Sequence, residues 1–221
     1  MRVIASFTAW VLVGLAAASP ALASEPPQAA RGFQADLRLG YARPMGGLQA
    51  PAALRLTNLF DSEQPLTLDA GWRFGDNWFL GAYGTIAGGK SGSTFEDLCA
   101  VSNCRAMSYR FGAELLVFIL PDQRVDPWLG VGVGYDLSSL AIGRPQGSIS
   151  VGARGFELPR LQAGVDYRFS KYLGFGPYLD FAVGEYTDST VKTDHYSSDR
   201  PIDDGDWHGW FSVGLRWVVL P

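Results

Sequence analysis

The sequence predicts an all-β fold, an eight-stranded antiparallel up-and-down transmembrane β-barrel. Three observations lead to this prediction: apolar and polar residues alternate along successive segments, long and short connections alternate between those segments, and aromatic residues gather at the segment ends. The chain is 47% hydrophobic and 18% charged, so it has enough apolar surface to fold. Its net charge of -4 argues against a basic nucleic-acid binder, so no nucleic-acid partner is expected.

The N-terminus predicts export. We divide the chain into a signal peptide at 1–23, a short N-terminal segment at 24–30 and a barrel at 31–221. Arg2 supplies a positive start, residues 3–18 are apolar, and an Ala-Leu-Ala stretch ending at Ala23 gives the small-x-small pattern that signal peptidase accepts.

The chain has two cysteines, and export would place them where disulfides persist. Cys99 and Cys104 enclose four residues in a polar stretch, which favours a disulfide bond that closes a small loop. A metal site is the weaker alternative because no histidine lies nearby, and the sequence alone fixes neither.

Seven segments alternate with a period of two, which is the pattern of β-strands. None of their apolar-face positions is charged, whereas the opposite face carries eleven charged residues and nine glycines. An eighth segment, 78–86, is apolar or small on both faces, so its orientation is left open. The seven alternating segments are 33–41, 66–74, 109–117, 129–137, 161–169, 175–183 and 211–217.

Connection lengths alternate strictly along the chain. Long connections are predicted at 42–65, 87–107, 138–158 and 186–206, and short ones at 75–77, 119–126 and 170–173. This pattern is typical of a membrane barrel with long loops at one rim and short turns at the other. Strands of about nine to eleven residues are long enough to cross the hydrocarbon layer when tilted.

Aromatic residues lie where the two membrane interfaces would be. Such rings favour the headgroup zone, so two girdles are expected in a spanning barrel. The predicted girdle residues are Tyr41, Tyr109 and Tyr135 at the long-loop ends and Trp72, Phe74, Tyr167, Phe169 and Trp217 at the short-turn ends.

In these features the chain resembles the eight-stranded outer-membrane barrels typified by the transmembrane domain of OmpA and by OmpX. The closing segment ends in Trp217, with Leu215, Val213 and Phe211 on the same face, and resembles the terminal signal that the outer-membrane barrel assembly machinery reads. The resemblance implies a location in the bacterial outer membrane. It also implies contact with outer-membrane lipid and lipopolysaccharide, and recognition by the assembly machinery.

The charged face is expected to line the lumen of the barrel. An eight-stranded barrel has an interior just wide enough for side chains, so buried charges must pair with one another. Pairs on one face are expected at Asp36/Arg38, Asp69/Arg73, Arg110/Glu114 and Asp166/Arg168, with glycines making room for arginines. The full predicted network is Asp36, Arg38, Asp69, Arg73, Arg110, Glu114, Asp136, Asp166, Arg168, Asp180 and Arg216.

This plugged lumen predicts a non-enzymatic outer-membrane barrel with four long extracellular loops and a structural or surface-recognition role. The loop ligand is not identifiable from the sequence. One alternative is a narrow ion or solute channel. Another is a soluble exported barrel like a lipocalin, with its apolar face turned inward around a ligand.

The two histidines do not change this prediction, and we expect no catalytic, cofactor-binding or metal-binding residues and no cofactor. His195 and Ser197 resemble the pair of outer-membrane lipid A deacylases, but polar, acidic sequence surrounds them. His208, beside Trp207, is expected at the membrane interface.

Overall fold

The computed structural model describes residues 31–45, 56–144 and 147–220, which form a closed barrel of eight antiparallel strands. Each strand pairs with its neighbours in the chain, and the last pairs with the first. The predicted fold class is therefore confirmed, while the proposed segments 1–23 and 24–30 lie outside the described residues. The strands are β1 Gly32–Met45, β2 Phe60–Phe74, β3 Trp78–Ser91, β4 Asn103–Phe118, β5 Val125–Arg144, β6 Gly147–Arg168, β7 Leu173–Thr193 and β8 Tyr196–Val219.

Helical structure is confined to short pieces between strands. The first helix, α1, spans Leu56–Leu59 before β2. A 3-10 turn at Ser93–Phe95 leads into the second helix, α2, at Glu96–Val101. No helix in the described ranges is long and apolar enough to cross a membrane.

The strands are longer than expected, and two of the four predicted long loops are largely strand. β5 and β6 remain paired up to Arg144 and Gly147, and β7 and β8 up to Thr193 and Tyr196. The arms of these hairpins are rich in Ser, Thr and Gly, and the large apolar residues that remain in β5, Leu140 and Ile142, are buried on the inward face. The apolar alternation on the outward face, which reveals a strand in sequence, therefore stops there. Ladder hydrogen bonds nevertheless satisfy their backbone.

The two faces of the barrel have opposite chemistry. Large apolar side chains point outward, as Leu68 and Leu129 do at 58% and 56% exposure, while every buried arginine and carboxylate points into the lumen. The lipocalin-like alternative, with its apolar face inside, is therefore wrong. A soluble barrel would not leave such a continuous apolar belt in water.

The segment with unassigned faces, within β3, follows the same rule. Trp78, Leu80 and Ile86 are exposed on the outer face, and Phe79 and Tyr83 are buried in the lumen. The strand looks ambiguous in sequence because its inward positions carry aromatic rings instead of charges.

The eight predicted girdle residues all lie on the outward side of their strands. Six of them are between 41% and 66% exposed. Tyr135 and Trp217 are partly covered by Phe156 and Phe175, whose rings lie 5.1 Å away in each pair. Their location at the membrane interfaces stays a prediction.

The disulfide is present between Cys99 and Cys104. Cys99 belongs to α2 and Cys104 is the second residue of β4, so the bond fastens this helix to the start of the strand.

Replacing Val131 with arginine is expected to destabilise the barrel in lipid by about 2–4 kcal/mol, the cost of a cation at the bilayer midplane. Val131 is 46% exposed, lies midway along the outward apolar run of β5, and neighbours Leu115 and Leu161 across the ladders. Urea unfolding in phospholipid vesicles measures the change, with Val131→Ala as the control for lost size. If the arginine variant unfolds at the same urea concentration as this control, the outer face does not meet lipid.

Candidate functional site in the barrel lumen

The lumen is filled by side chains from all eight strands, because every second residue of each strand points inward. Its ion pairs between arginines and carboxylates are described below in four groups. The described lumen has six buried arginines and nine buried carboxylates.

The first group surrounds Arg38 on β1, which is fully buried. Its Nε lies 2.9 Å from Asp69 on β2, and its Nη2 lies 2.8 Å from Glu114 on β4. Gln162 on β6 accepts a hydrogen bond from Arg38 Nη1 and donates one to Glu114 Oε2 at 2.9 Å. One guanidinium thus joins four strands.

The second group surrounds Arg216 on β8. This arginine pairs with Asp36 on β1 and, at 2.7 Å, with Asp166 on β6. Its guanidinium carbon lies 4.5 Å from the ring centre of Trp128, whose Nε1 donates to Asp166 Oδ1 at 3.2 Å. The indole therefore both covers the cation and orients its partner.

The third group closes the lumen at the short-turn end around Asp126. This carboxylate pairs with Arg168 and, at 3.5 Å, with Arg73. Arg73 also donates to the Asp76 carbonyl at 3.0 Å and lies 3.8 Å from the ring centre of Phe118.

The fourth group lies towards the other end of the lumen. Arg110 on β4 pairs with Glu63 on β2, which also accepts a hydrogen bond from Ser108 at 2.7 Å. On the opposite wall, Arg160 on β6 pairs with Asp180 on β7.

Beyond the charges, apolar side chains close the outer mouth, and we call them the apolar cap. Phe60 and Trp210 pack edge to face with 5.5 Å between ring centres, and both are fully buried. The cap is formed by Ala42, Leu56, Phe60, Ala106, Leu140, Ile142, Ala153, Ala182, Tyr186 and Trp210.

No family model matches the chain, and no curated protein matches it. Among solved structures, it is similar to a major outer membrane protein from Thermus thermophilus, with a TM-score of 0.53 and 12% identity over 86% of this chain and 99% of that one. The fold is that of an outer-membrane β-barrel.

Two further barrels align with the chain. One is OprG from Pseudomonas aeruginosa, with a TM-score of 0.49 and 13% identity over 88% of this chain and 100% of that one. The other is AlkL in DMPC lipid bilayers, with a TM-score of 0.49 and 16% identity over 92% and 96%. At these identities the likeness concerns the fold, so the function has to be argued from this chain's own residues.

All eleven charged residues predicted to line the lumen of this outer-membrane-type barrel are buried there. Their partners differ from those expected, because the pairs join different strands instead of neighbouring positions on one strand. None of the pairs Asp36/Arg38, Asp69/Arg73, Arg110/Glu114 and Asp166/Arg168 lies within 4.0 Å. A long arginine reaches across a narrow lumen more readily than it folds back along its own strand.

Sequence reasoning missed four charged members of the lumen. Glu63, Asp126 and Glu157 fall in predicted connections, and Arg160 falls just before a predicted strand. The first two and Arg160 keep the inward parity of their strands, a signal that could have found them. Glu157 does not, because a bulge separates it from Arg160.

The histidines also lie in unlike places. The expected interface position of His208 is wrong: it is 4% exposed inside the lumen, in inward phase with Trp210 and Ser212. His195 is exposed in the turn between β7 and β8.

Arg110→Ala is expected to lower the free energy of unfolding by about 3–5 kcal/mol, because Glu63 is left buried without its cation. Adding Glu63→Gln should restore much of that loss. Adding Glu114→Gln should not, since Glu114 pairs with Arg38.

Urea unfolding of the three variants in vesicles measures these differences. Arg31→Ala is the control: its pair with Asp76 is 2.9 Å long but exposed, with side chains 68% and 49% accessible, and should contribute less than about 1 kcal/mol. Equal rescue by Glu63→Gln and Glu114→Gln would refute the observed pairing.

Proposed function

We propose that the protein is an integral barrel of the bacterial outer membrane that is closed to solutes and presents a rigid surface for recognition outside the cell. The observation that carries this proposal is that two different sets of side chains fill the lumen. Ionic groups cross it at several levels, and the apolar cap fills its outer mouth.

The alternative of a narrow channel is disfavoured by the burial of the central cations. A conducting path needs a continuous file of water, yet the side chains of Arg38, Arg216, Asp69 and Asp36 are closed off from solvent, at 0–1% exposure. The apolar cap adds a second barrier, because moving an ion past apolar side chains without its water shell costs a large free energy.

The surface that we assign to recognition is formed by the ends of the two long hairpins, residues 138–144, 147–156 and 187–202, and is called the surface head. Asp194 in the β7–β8 turn accepts hydrogen bonds from the Ser148 hydroxyl at 2.7 Å and the Ser148 amide at 3.0 Å, so it joins the two hairpins at their tips. These bonds, the hydroxyl's first, hold the pKa of Asp194 below its usual value.

A second link lies lower on the surface head. Arg154 on β6 approaches Asp188 on β7 with 3.4 Å between Nε and Oδ2, and Thr187 also donates to Asp188 at 2.8 Å. Hydrogen bonds from Thr187 and Arg154 lower the pKa of Asp188. Polar groups held on a rigid scaffold are well placed to bind partners.

Planar-bilayer recording tests the closed lumen. The wild-type barrel is expected to give no single-channel steps, because charge network and cap close it in series. A variant that removes both closures, Arg38→Ala with Arg216→Ala, Phe60→Ala and Trp210→Ala, is expected to leak ions if it folds.

A wide porin reconstituted in parallel verifies that insertion can be detected, and a gel mobility shift on boiling verifies folding of each variant. Discrete conductance steps from the wild-type protein would overturn the closed-barrel proposal. Recovery of the protein in the soluble fraction of the cell, without detergent, would overturn the location.

A further inference from the structure

Two buried carboxylates in the outer half of the lumen have no arginine nitrogen within 4.0 Å. Of the nine lumenal carboxylates in the described barrel, seven lie within 4.0 Å of an arginine nitrogen. The exceptions are Asp136 on β5 and Glu157 on β6, which are 0% and 1% exposed. Buried carboxylates are costly unless a cation compensates them.

Both face the same histidine, His208 on β8. Its Nε2 lies 3.6 Å from Asp136 Oδ2, and one ligand atom from each of the three residues lies within 4.8 Å of the others. The imidazole stacks on Tyr186, with 3.8 Å between ring centres and 9° between planes. This contact holds the ring plane in place.

A glycine makes this approach possible. Gly184 on β7 lies between Glu157 and His208 in the strand register. A Cβ at Gly184 would lie 2.8 Å from His208 Cε1, closer than side chains tolerate. The same Cβ would lie 2.2 Å from the Phe156 carbonyl oxygen, so a larger residue would displace both the neighbouring strand and the imidazole.

Three atoms of this cluster that could bind a metal ion are buried and make no hydrogen bond: His208 Nδ1, His208 Nε2 and Glu157 Oε1. The remaining oxygens are oriented by neighbours. Tyr83 donates to Glu157 Oε2 at 3.2 Å, Tyr186 and Trp210 donate to Asp136 Oδ2 at 3.3 and 3.1 Å, and Ser138 donates to Asp136 Oδ1 at 2.8 Å. Outer hydrogen bonds of this kind orient the ligands of metal sites.

We propose that Asp136, Glu157 and His208 bind one divalent transition-metal cation of the zinc class. One imidazole nitrogen and two carboxylate oxygens suit zinc, whereas calcium and magnesium prefer oxygen ligands throughout. A divalent cation also compensates both unpaired carboxylates. The Asp136–His208 distance of 3.6 Å is close to the separation of about 3.4 Å between ligands of a tetrahedral zinc ion.

The cation would join β5, β6 and β8 at a level where the ladders are irregular. Bulges lie at Gly132/Gly134, Arg154/Gly155 and Tyr186/Asp188, near the point where the barrel continues into the surface head. The inference goes beyond the proposed function, because the site requires neither a closed lumen nor a ligand on the surface head.

Zinc binding to the untagged chain provides the test. The protein is refolded in detergent with EDTA, dialysed, and titrated with Zn²⁺ by calorimetry; a second sample is refolded with Zn²⁺ present, desalted and assayed for bound metal. We expect one tightly bound zinc per chain in at least one of these samples, and a raised melting temperature. Cobalt in place of zinc should give the visible absorption of a four-coordinate site made by these three side chains and one water.

His208→Gln and Glu157→Gln are each expected to weaken binding by about 100-fold or more, because each removes one of three ligands. His195→Ala is the matched control, since it removes the exposed histidine and should leave affinity unchanged. The boiling shift on gels verifies folding of each variant.

Absence of stoichiometric zinc from both wild-type samples would overturn the proposal whether or not the variants fold. Wild-type affinity in His208→Gln, or loss of binding in His195→Ala, would also overturn it. None of these results bears on conductance, so the closed-barrel proposal is tested separately.

Discussion

The structure depends on one constraint: charges enclosed in a lipid-surrounded cylinder must be neutralised by other charges within it. The chain meets this constraint because three of its charged groups each pair with two partners of opposite sign. Arg38 forms ion pairs with Asp69 and Glu114, and Arg216 with Asp36 and Asp166. The single carboxylate of Asp126 forms ion pairs with two arginines. Since the partners lie on different strands, each ion pair is also a brace across the lumen. The strand register that closes the barrel therefore also determines which buried charges can pair with one another.

Aromatic rings complete this arrangement and explain the inward glycines better than arginine size does. The Tyr83 ring occupies the space that a Cβ at Gly134 would need, and the Trp128 ring occupies that of Gly164. Arg160 lies over Tyr83 at 3.9 Å, just as Arg216 lies over Trp128. The glycines thus admit flat rings, and the rings cover the guanidinium groups. With water excluded from both sides, the ion pairs act in a low-dielectric medium and are correspondingly strong.

Period-two alternation predicts which way a residue points, because parity is maintained along an uninterrupted strand. It therefore predicts the closed barrel, its apolar exterior and the inward direction of eleven charges. It cannot predict which arginine meets which carboxylate, since that depends on how far opposite strands are staggered around the barrel. It also fails at Glu157, where one extra residue before Arg160 inverts parity, and in the hairpin arms, where the outward apolar period stops.

The buried carboxylates outnumber the buried arginines, and this imbalance divides the lumen into two regions. Around Arg38, Arg216 and Asp126, every carboxylate has its arginine, so this part is complete within the chain's own side chains. Next to the surface head, Asp136 and Glu157 have no arginine nitrogen within 4.0 Å and face a histidine whose two nitrogens make no hydrogen bond. The bulges show that the ladders are also interrupted there. The unpaired carboxylates and the irregular ladders thus lie at one level of the barrel. A cation at this level would compensate both carboxylates and join three strands near the points where their ladders are interrupted.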